Sequence, residues 1–211
     1  MKSIYLILIF FLINLSTKAQ QVIPIEEYNT YIENLSEEET IPDGTYKKDV
    51  NNLLNKYTGN WAASYKNKEY LFNIKKSTIE ALGIKSDVLL IRYKIIDSSG
   101  NEIRNTFSLS DEDSGVIKGY GFQKEKENIY WLFYLGVNDN EVECGDSGKI
   151  YLNISNNQKK MSLHASLSYG MIMEEDCPNG IIDPPFPLPG DNKMILTKQN
   201  TIPPLKGATK E

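Results

Sequence analysis

The sequence predicts an all-β domain, an antiparallel barrel with a two-sheet sandwich as the alternative, entered through one short N-terminal helix. Three observations lead there. Apolar and polar residues alternate over about eight short runs. Clusters of Asn, Asp, Ser, Gly and Lys separate those runs as turns. No stretch repeats itself at a period of about 20–50 residues, which disfavours a solenoid or propeller.

The chain opens on an export signal. Lys2 gives a positive start, residues 4–13 (IYLILIFFLI) form an apolar run, and Thr17-Lys18-Ala19 places small residues at the −3 and −1 positions of a cleavage site. Cutting between Ala19 and Gln20 leaves Gln20 first. A membrane-spanning helix needs about 20 apolar residues, and this run breaks at Asn14, Ser16 and Lys18. With no later run long enough to span a bilayer, the expected product is a secreted or periplasmic protein without a transmembrane segment.

Residues 20–47 are acidic and lack periodicity, so they read as an irregular N-terminal arm. Val50, Leu53, Leu54 and Tyr57 then share one helical face behind Asp49, a plausible N-cap. From Thr58 the period changes to two. Residues 61–65 and 70–74 are strands on either side of Lys66-Asn67-Lys68-Glu69, with Tyr70, Phe72 and Ile74 on one face. Residues 77–84 read as a single helical turn before Gly83. Residues 88–96 give the strongest strand, with Leu89, Ile91, Tyr93 and Ile95 on one side and Arg92 and Lys94 on the other. Residues 97–101 turn the chain into a returning strand, 102–109.

Residues 115–123 form a strand rich in glycine, and 129–135 (IYWLFYL) are apolar on both faces, as a strand buried on two sides would be. Residues 149–155 place Ile150, Leu152 and Ile154 inward. In residues 160–168 Met161, Leu163, Ala165 and Leu167 face in, and His164, the single histidine, faces out. A Pro-rich loop near 184–189 leads to a last strand, 193–198. The domain thus covers residues 48–199, and the tail 200–211 reads as disordered.

The formal charge is −5, and −7 once Lys2 and Lys18 leave with the leader. That balance disfavours nucleic acid and anionic membranes as partners, because both attract basic surfaces. Cys144 and Cys177 are the only cysteines. In an oxidising compartment an even pair reads as a structural disulfide. In the loop-entropy model it would restrict the unfolded chain by roughly 3–4 kcal/mol.

Gly59-Asn60-Trp61, placed between a short helix and the first barrel strand, resembles the G-x-W opening of lipocalin-type barrels, in which the Trp closes the barrel floor. That likeness implies a lipocalin-like antiparallel barrel. The wider layout comprises Tyr57, Gly59 and Trp61, the strand from Asp87 to Tyr93, Cys144-Gly145 before Gly148-Lys149-Ile150, and Cys177-Pro178 before Leu196-Thr197-Lys198-Gln199. It resembles a family of secreted proteins from Bacteroidota known as domain of unknown function 6705. The resemblance implies export and supplies no catalytic residues.

Two groups of residues are candidate sites. Trp61, Tyr70, Phe72, Trp131 and Phe133 are aromatic residues that could line an apolar pocket within a barrel, although small barrels also fill their cores with such side chains. Asp139, Glu141, Glu143 and Asp146 surround one cysteine, and Glu174, Glu175 and Asp176 precede the other. Paired cysteines would bring these acids together as a weak calcium site, or simply as two solvated loops. No other cofactor is expected. No nucleophile elbow surrounds any serine, and His164 has only serines nearby in its strand. The leading reading is therefore a non-catalytic binding module, expected to be monomeric, for a small apolar molecule or a protein. A structural or surface-interaction protein without a pocket comes second, and a hydrolase third.

Mass spectrometry of the exported protein is expected to give a chain that starts at Gln20 with Cys144 and Cys177 joined. Thiols open to alkylation without reductant would refute the pairing, and a melting midpoint unmoved by millimolar calcium would remove the cation site.

Overall fold

A computed structural model describes residues 20–36, 39–124, 126–134, 148–167, 188 and 193–201. In order these give β1 (Val22–Pro24), α1 (Tyr28–Glu33), β2 (Tyr46–Lys48), a 3-10 turn (Asn55–Tyr57), β3 (Gly59–Tyr65), β4 (Lys68–Ala81) and β5 (Ile84–Ile96). Then follow β6 (Glu102–Asn105), β7 (Ile117–Gln123), β8 (Lys126–Tyr134), β9 (Gly148–Ile154), β10 (Lys160–Leu167) and β11 (Met194–Gln199).

Eight of these strands close into an antiparallel barrel in the order β5-β4-β3-β11-β10-β9-β8-β7, and β7 returns to β5. The period-two pattern explains the sidedness. Tyr130, Leu132 and Tyr134 on β8 are buried with Ile150, Leu152 and Ile154 on β9 and Met161, Leu163 and Ala165 on β10. Trp61, Tyr57, Tyr93, Tyr130, Tyr134 and Phe72 are the bulkiest of the fully buried side chains, and they occupy the interior as a packed core. Leu188, between β10 and β11, adds to this core.

The floor shows how tightly the interior is filled. The Tyr57, Phe122 and Tyr130 rings meet there, with centroids 5.1 Å apart for Phe122 and Tyr130 and 5.9 Å for Tyr57 and Tyr130. Trp61 donates its indole N–H to the Tyr57 carbonyl at 2.8 Å, tying the 3-10 turn to β3. A Cβ at Gly119 would lie 2.3 Å from the Tyr130 hydroxyl, so β7 needs glycine there for Tyr130 to fit beneath it.

The ring closes at a narrow seam. Strands β5 and β7 pair only at Leu90↔Lys118 and Ile91↔Ile117. The rest of that β5 edge is taken by β2, parallel at Lys85 and Ser86, and by β6, antiparallel at 94–96. Beyond the seam two β7 carbonyls receive side-chain donors from the arm. Asn29 Nδ2 donates to the Phe122 carbonyl at 2.8 Å, and Lys47 Nζ donates to the Tyr120 carbonyl. Residues 22–33 and 46–48 thus pack on the barrel as β1, α1 and β2, where the sequence reads as an irregular arm.

The helix expected over 50–57 contracts to one 3-10 turn, and Asn52 takes a positive φ of 55°. Asp49 is not the cap of that turn, which is Leu54 without a side-chain hydrogen bond. The Asp49 carboxylate instead accepts from the Leu53 and Leu54 amides ahead of the turn, at 2.7 and 3.2 Å. Its side chain is fully buried and paired with Lys76 at 2.6 Å. Asp87 accepts from Tyr46 and Thr78 hydroxyls, each at 2.8 Å, and from the Asp49 amide at 3.0 Å. Burial alone would raise the Asp87 carboxyl, but these hydrogen bonds and the nearby Lys76 hold it below the usual carboxylate range.

Other local expectations shift in similar ways. Residues 77–84 are the end of β4, a two-residue turn at Leu82 and Gly83 with φ of 51° and 74°, and the start of β5. Such a turn accepts positive φ at both centres and follows the twist of the hairpin. The strand expected over 102–109 stops at Asn105, because Thr106 bonds to the Tyr93 backbone and the next residues strap the outer face. There Arg92 donates to the Leu109 carbonyl at 2.9 Å and to Asp111 at 2.7 Å.

Gly119→Ala is expected to cost about 1–3 kcal/mol, the range for overpacking a filled core. Urea unfolding would measure it, and adding Tyr130→Phe should restore part of the loss. Burial pushes the Lys47 ammonium down to about 8, against about 10.4 in an unfolded chain. Between those values the unfolded chain keeps a proton that the folded one has lost, so stability rises with pH there. Relative to Lys47→Met, the native chain should gain about 1–3 kcal/mol across that window; equal thermal profiles for the two would refute this.

Candidate functional site

The alternation that fills the barrel also sorts the aromatic candidates. Trp61, Tyr70 and Phe72 lie inside and are buried, with Tyr70 and Phe72 stacked at 6.5 Å. Trp131 and Phe133 share β8 with Tyr130, Leu132 and Tyr134 but point outward, and Phe133 is 39% exposed. The five therefore do not line one space. Their separation follows from parity: odd positions of β8 face solvent once even positions face the core.

On the outside Trp131 and Phe133 join residues that were not expected to act with them. Register sets Trp131 opposite Tyr151 on β9, and Tyr151 opposite His164 on β10. A second row places Phe133 beside Lys149 and Ser166, and a third places Ile129 beside Asn153 and Ser162. These three rows, three strands wide, make one continuous outer face with an aromatic centre, polar positions around it and no carboxylate.

A bulge extends the face onto β7. Gly119 pairs with Leu132 and Gly121 with Trp131, which leaves Tyr120 between them on the outer side. The Tyr120 ring lies 4.1 Å from Trp131 and 5.3 Å from Phe133, and Trp131 and Phe133 meet at 5.0 Å. Lys149 sits over Trp131 at 5.1 Å. On the far side Lys47 lies 4.9 Å from Tyr120 and 4.6 Å from Tyr28 of α1. Two lysines thus flank the Tyr120–Trp131 ring pair between the arm and β9, each attracted by the negative ring face beside it.

This outer face is rich in unused hydrogen-bonding capacity. Among the described residues, the side chains of Asn153, Ser162 and Ser166 make no hydrogen bond, and the buried Nδ1 of His164 has no partner. His164 faces outward as the alternation implied, but it stands at the edge of an aromatic row rather than among serines alone. The signal in the sequence was the run 129–135, apolar on both faces. Tyr120, Tyr151, Lys149 and Lys47 carry no signal of their own, because register and a bulge bring them together.

The remaining candidates lie outside the described residues. These are Ala19, Cys144 and Cys177, and the acids Asp139, Glu141, Glu143, Asp146, Glu174, Glu175 and Asp176. Gln20 is described and exposed at the start of the arm. Among the described residues no three His, Cys, Asp or Glu side chains group as metal ligands, and no helix is long and apolar enough to cross a membrane. A cavity of about 340 Å³ lies at the opposite barrel end from the floor, between the β3–β4 turn and the turn after β5. Its Asp97 is already spent on the Ser99 and Asn101 amides, both at 2.8 Å.

A search of curated proteins finds no match to the chain, and a search of solved structures finds none. One family model matches residues 1–199, up to the end of β11. The chain belongs to that family, described as Family of unknown function (DUF6705).

Proposed function

We propose that the protein is an exported, non-catalytic binding module whose contact face is the outer aromatic wall of β7–β10. One observation carries this reading: Trp131, Tyr151 and His164 form a transverse row outside the barrel, joined by Tyr120 and Phe133, while the side chains facing inward pack against one another. Barrels that carry small apolar ligands keep an interior large enough to hold them. Here Tyr57, Trp61, Phe72, Tyr93 and Tyr130 occupy the described interior. Half-buried aromatic side chains on a rigid sheet bring large contact area at low entropic cost, which favours the outer face for recognition.

The leader supports export, and Trp61 bonded to the Tyr57 carbonyl at the floor supports the lipocalin-like reading of the G-x-W entry. Neither feature requires a ligand inside. The surface-interaction reading and the binding-module reading therefore merge into one: a module that binds through its wall.

The native protein and a Trp131→Ala/Phe133→Ala variant, both immobilised, would be exposed to envelope and medium fractions of the source organism, with bound sugar and protein quantified. The double variant should keep its fold by circular dichroism and lose the retained material. Equal retention by both would refute the wall as contact face. A small molecule held by both variants in native mass spectrometry would favour the interior instead.

A further inference from the structure

The partner class can be argued from the chemistry of the wall, on the premise that the wall is the contact face. We propose that it binds a glycan chain, with pyranose rings stacked on Trp131 and Tyr151 and their hydroxyls bonded by Asn153, Ser162 and Ser166.

A pyranose offers C–H bonds on one face and hydroxyls around its rim. The C–H face is weakly positive and is drawn to the negative face of an aromatic ring, as a cation is. The rim needs groups that can both donate and accept, and serine hydroxyls and an asparagine amide do both. On this wall the rings occupy the middle row, and Asn153, Ser162 and Ser166 stand in the rows on either side. None of those three side chains makes a hydrogen bond among the described residues. Strands lie about 4.8 Å apart, so the cross-strand pair Trp131 and Tyr151 gives two neighbouring rings along which successive sugar units can lie.

Other partners fit less well. A protein hot spot is a desolvated pocket ringed by contacts that exclude water, whereas this face is a barrel exterior flanked by hydroxyl and amide groups. Single-stranded nucleic acid also stacks on aromatic platforms, but it needs a basic groove along its backbone, and this chain has a net charge of −5. Lys149, stacked over Trp131 at 5.1 Å, is the only formal charge among the nine positions of the three rows. An ammonium beside the stacking rings favours sugars that carry a carboxylate. Glycans with uronic acid units are therefore expected to bind better than neutral ones.

The test uses the mature full chain on an array of neutral and uronic-acid glycans, followed by titration of the binding oligosaccharides against tryptophan fluorescence. Trp61 is buried and Trp131 lies on the wall, so the change in signal should come from Trp131. Saturable binding is expected, weakened about tenfold by Trp131→Ala or Tyr151→Ala, a size in keeping with loss of one aromatic stacking contact. Ser162→Ala should weaken it less, and Lys149→Gln should remove the preference for uronic acids along with its salt dependence. Circular dichroism and thermal midpoints would confirm that each variant folds. Absence of saturable binding across the array would overturn the proposal, as would binding that Trp131→Ala leaves unchanged. If array binding fails while wall-dependent retention of a protein persists, the glycan is refuted and the contact face stands.

Discussion

The barrel depends on how its seam is held. Strands β5 and β7 meet at only two residue pairs, and an open sheet edge with unpaired carbonyls is costly in a packed domain. The N-terminal arm supplies what is missing. Strand β2 pairs with β5 below the seam, and Asn29 and Lys47 reach the Phe122 and Tyr120 carbonyls of β7. The charged network of Asp49, Asp87 and Lys76 then fixes β2, β4 and β5 relative to one another. Removing one partner from such a network leaves a buried charge uncompensated, which costs more than the pair contributes. This is why a short arm can govern the closure of eight strands.

The same arm reaches the candidate binding face. Lys47 lies between Tyr28 of α1 and Tyr120 of β7, and Tyr120 packs on Trp131. The ring at one edge of the wall is thus positioned by the element that seals the seam. The β7 bulge serves both ends: Gly119 leaves room for Tyr130 inside, and the extra residue turns Tyr120 outside. A wall built on paired strands holds its rings in fixed register, and that rigidity suits recognition of an extended, repeating partner better than a loop would.

The interior and exterior divide the aromatic residues by environment. Inside, Tyr57, Phe122 and Tyr130 pack edge to face and tilted, at distances where rings attract, and the burial of the Tyr57 hydroxyl pushes its pKa upward. Outside, Trp131, Phe133 and Tyr120 retain exposure and lie beside side chains with spare donors and acceptors. A core selects for shape and dryness, whereas a contact face leaves polar groups ready to exchange water for a ligand. The two sides of β8 therefore carry similar residues for different physical reasons.

The sequence by itself determined most of the barrel strands, the inward faces of β5, β9 and β10 and the turns after Tyr65 and Ile96, since each rests on local period or local turn chemistry. It also marked β8 as unusual through an apolar run on both faces. Tertiary structure alone decided which face of β8 met the core, and hence that Trp131 and Phe133 lie outside while Trp61, Tyr70 and Phe72 lie inside. It alone ordered β1, α1 and β2 against β5 and β7, because those contacts join positions as far apart as Asn29 and Phe122. The row of Trp131, Tyr151 and His164 comes from strand register across three strands, and register depends on closing the whole barrel. A chain read one residue at a time reveals alternation, but only a closed sheet brings separate alternations into one surface.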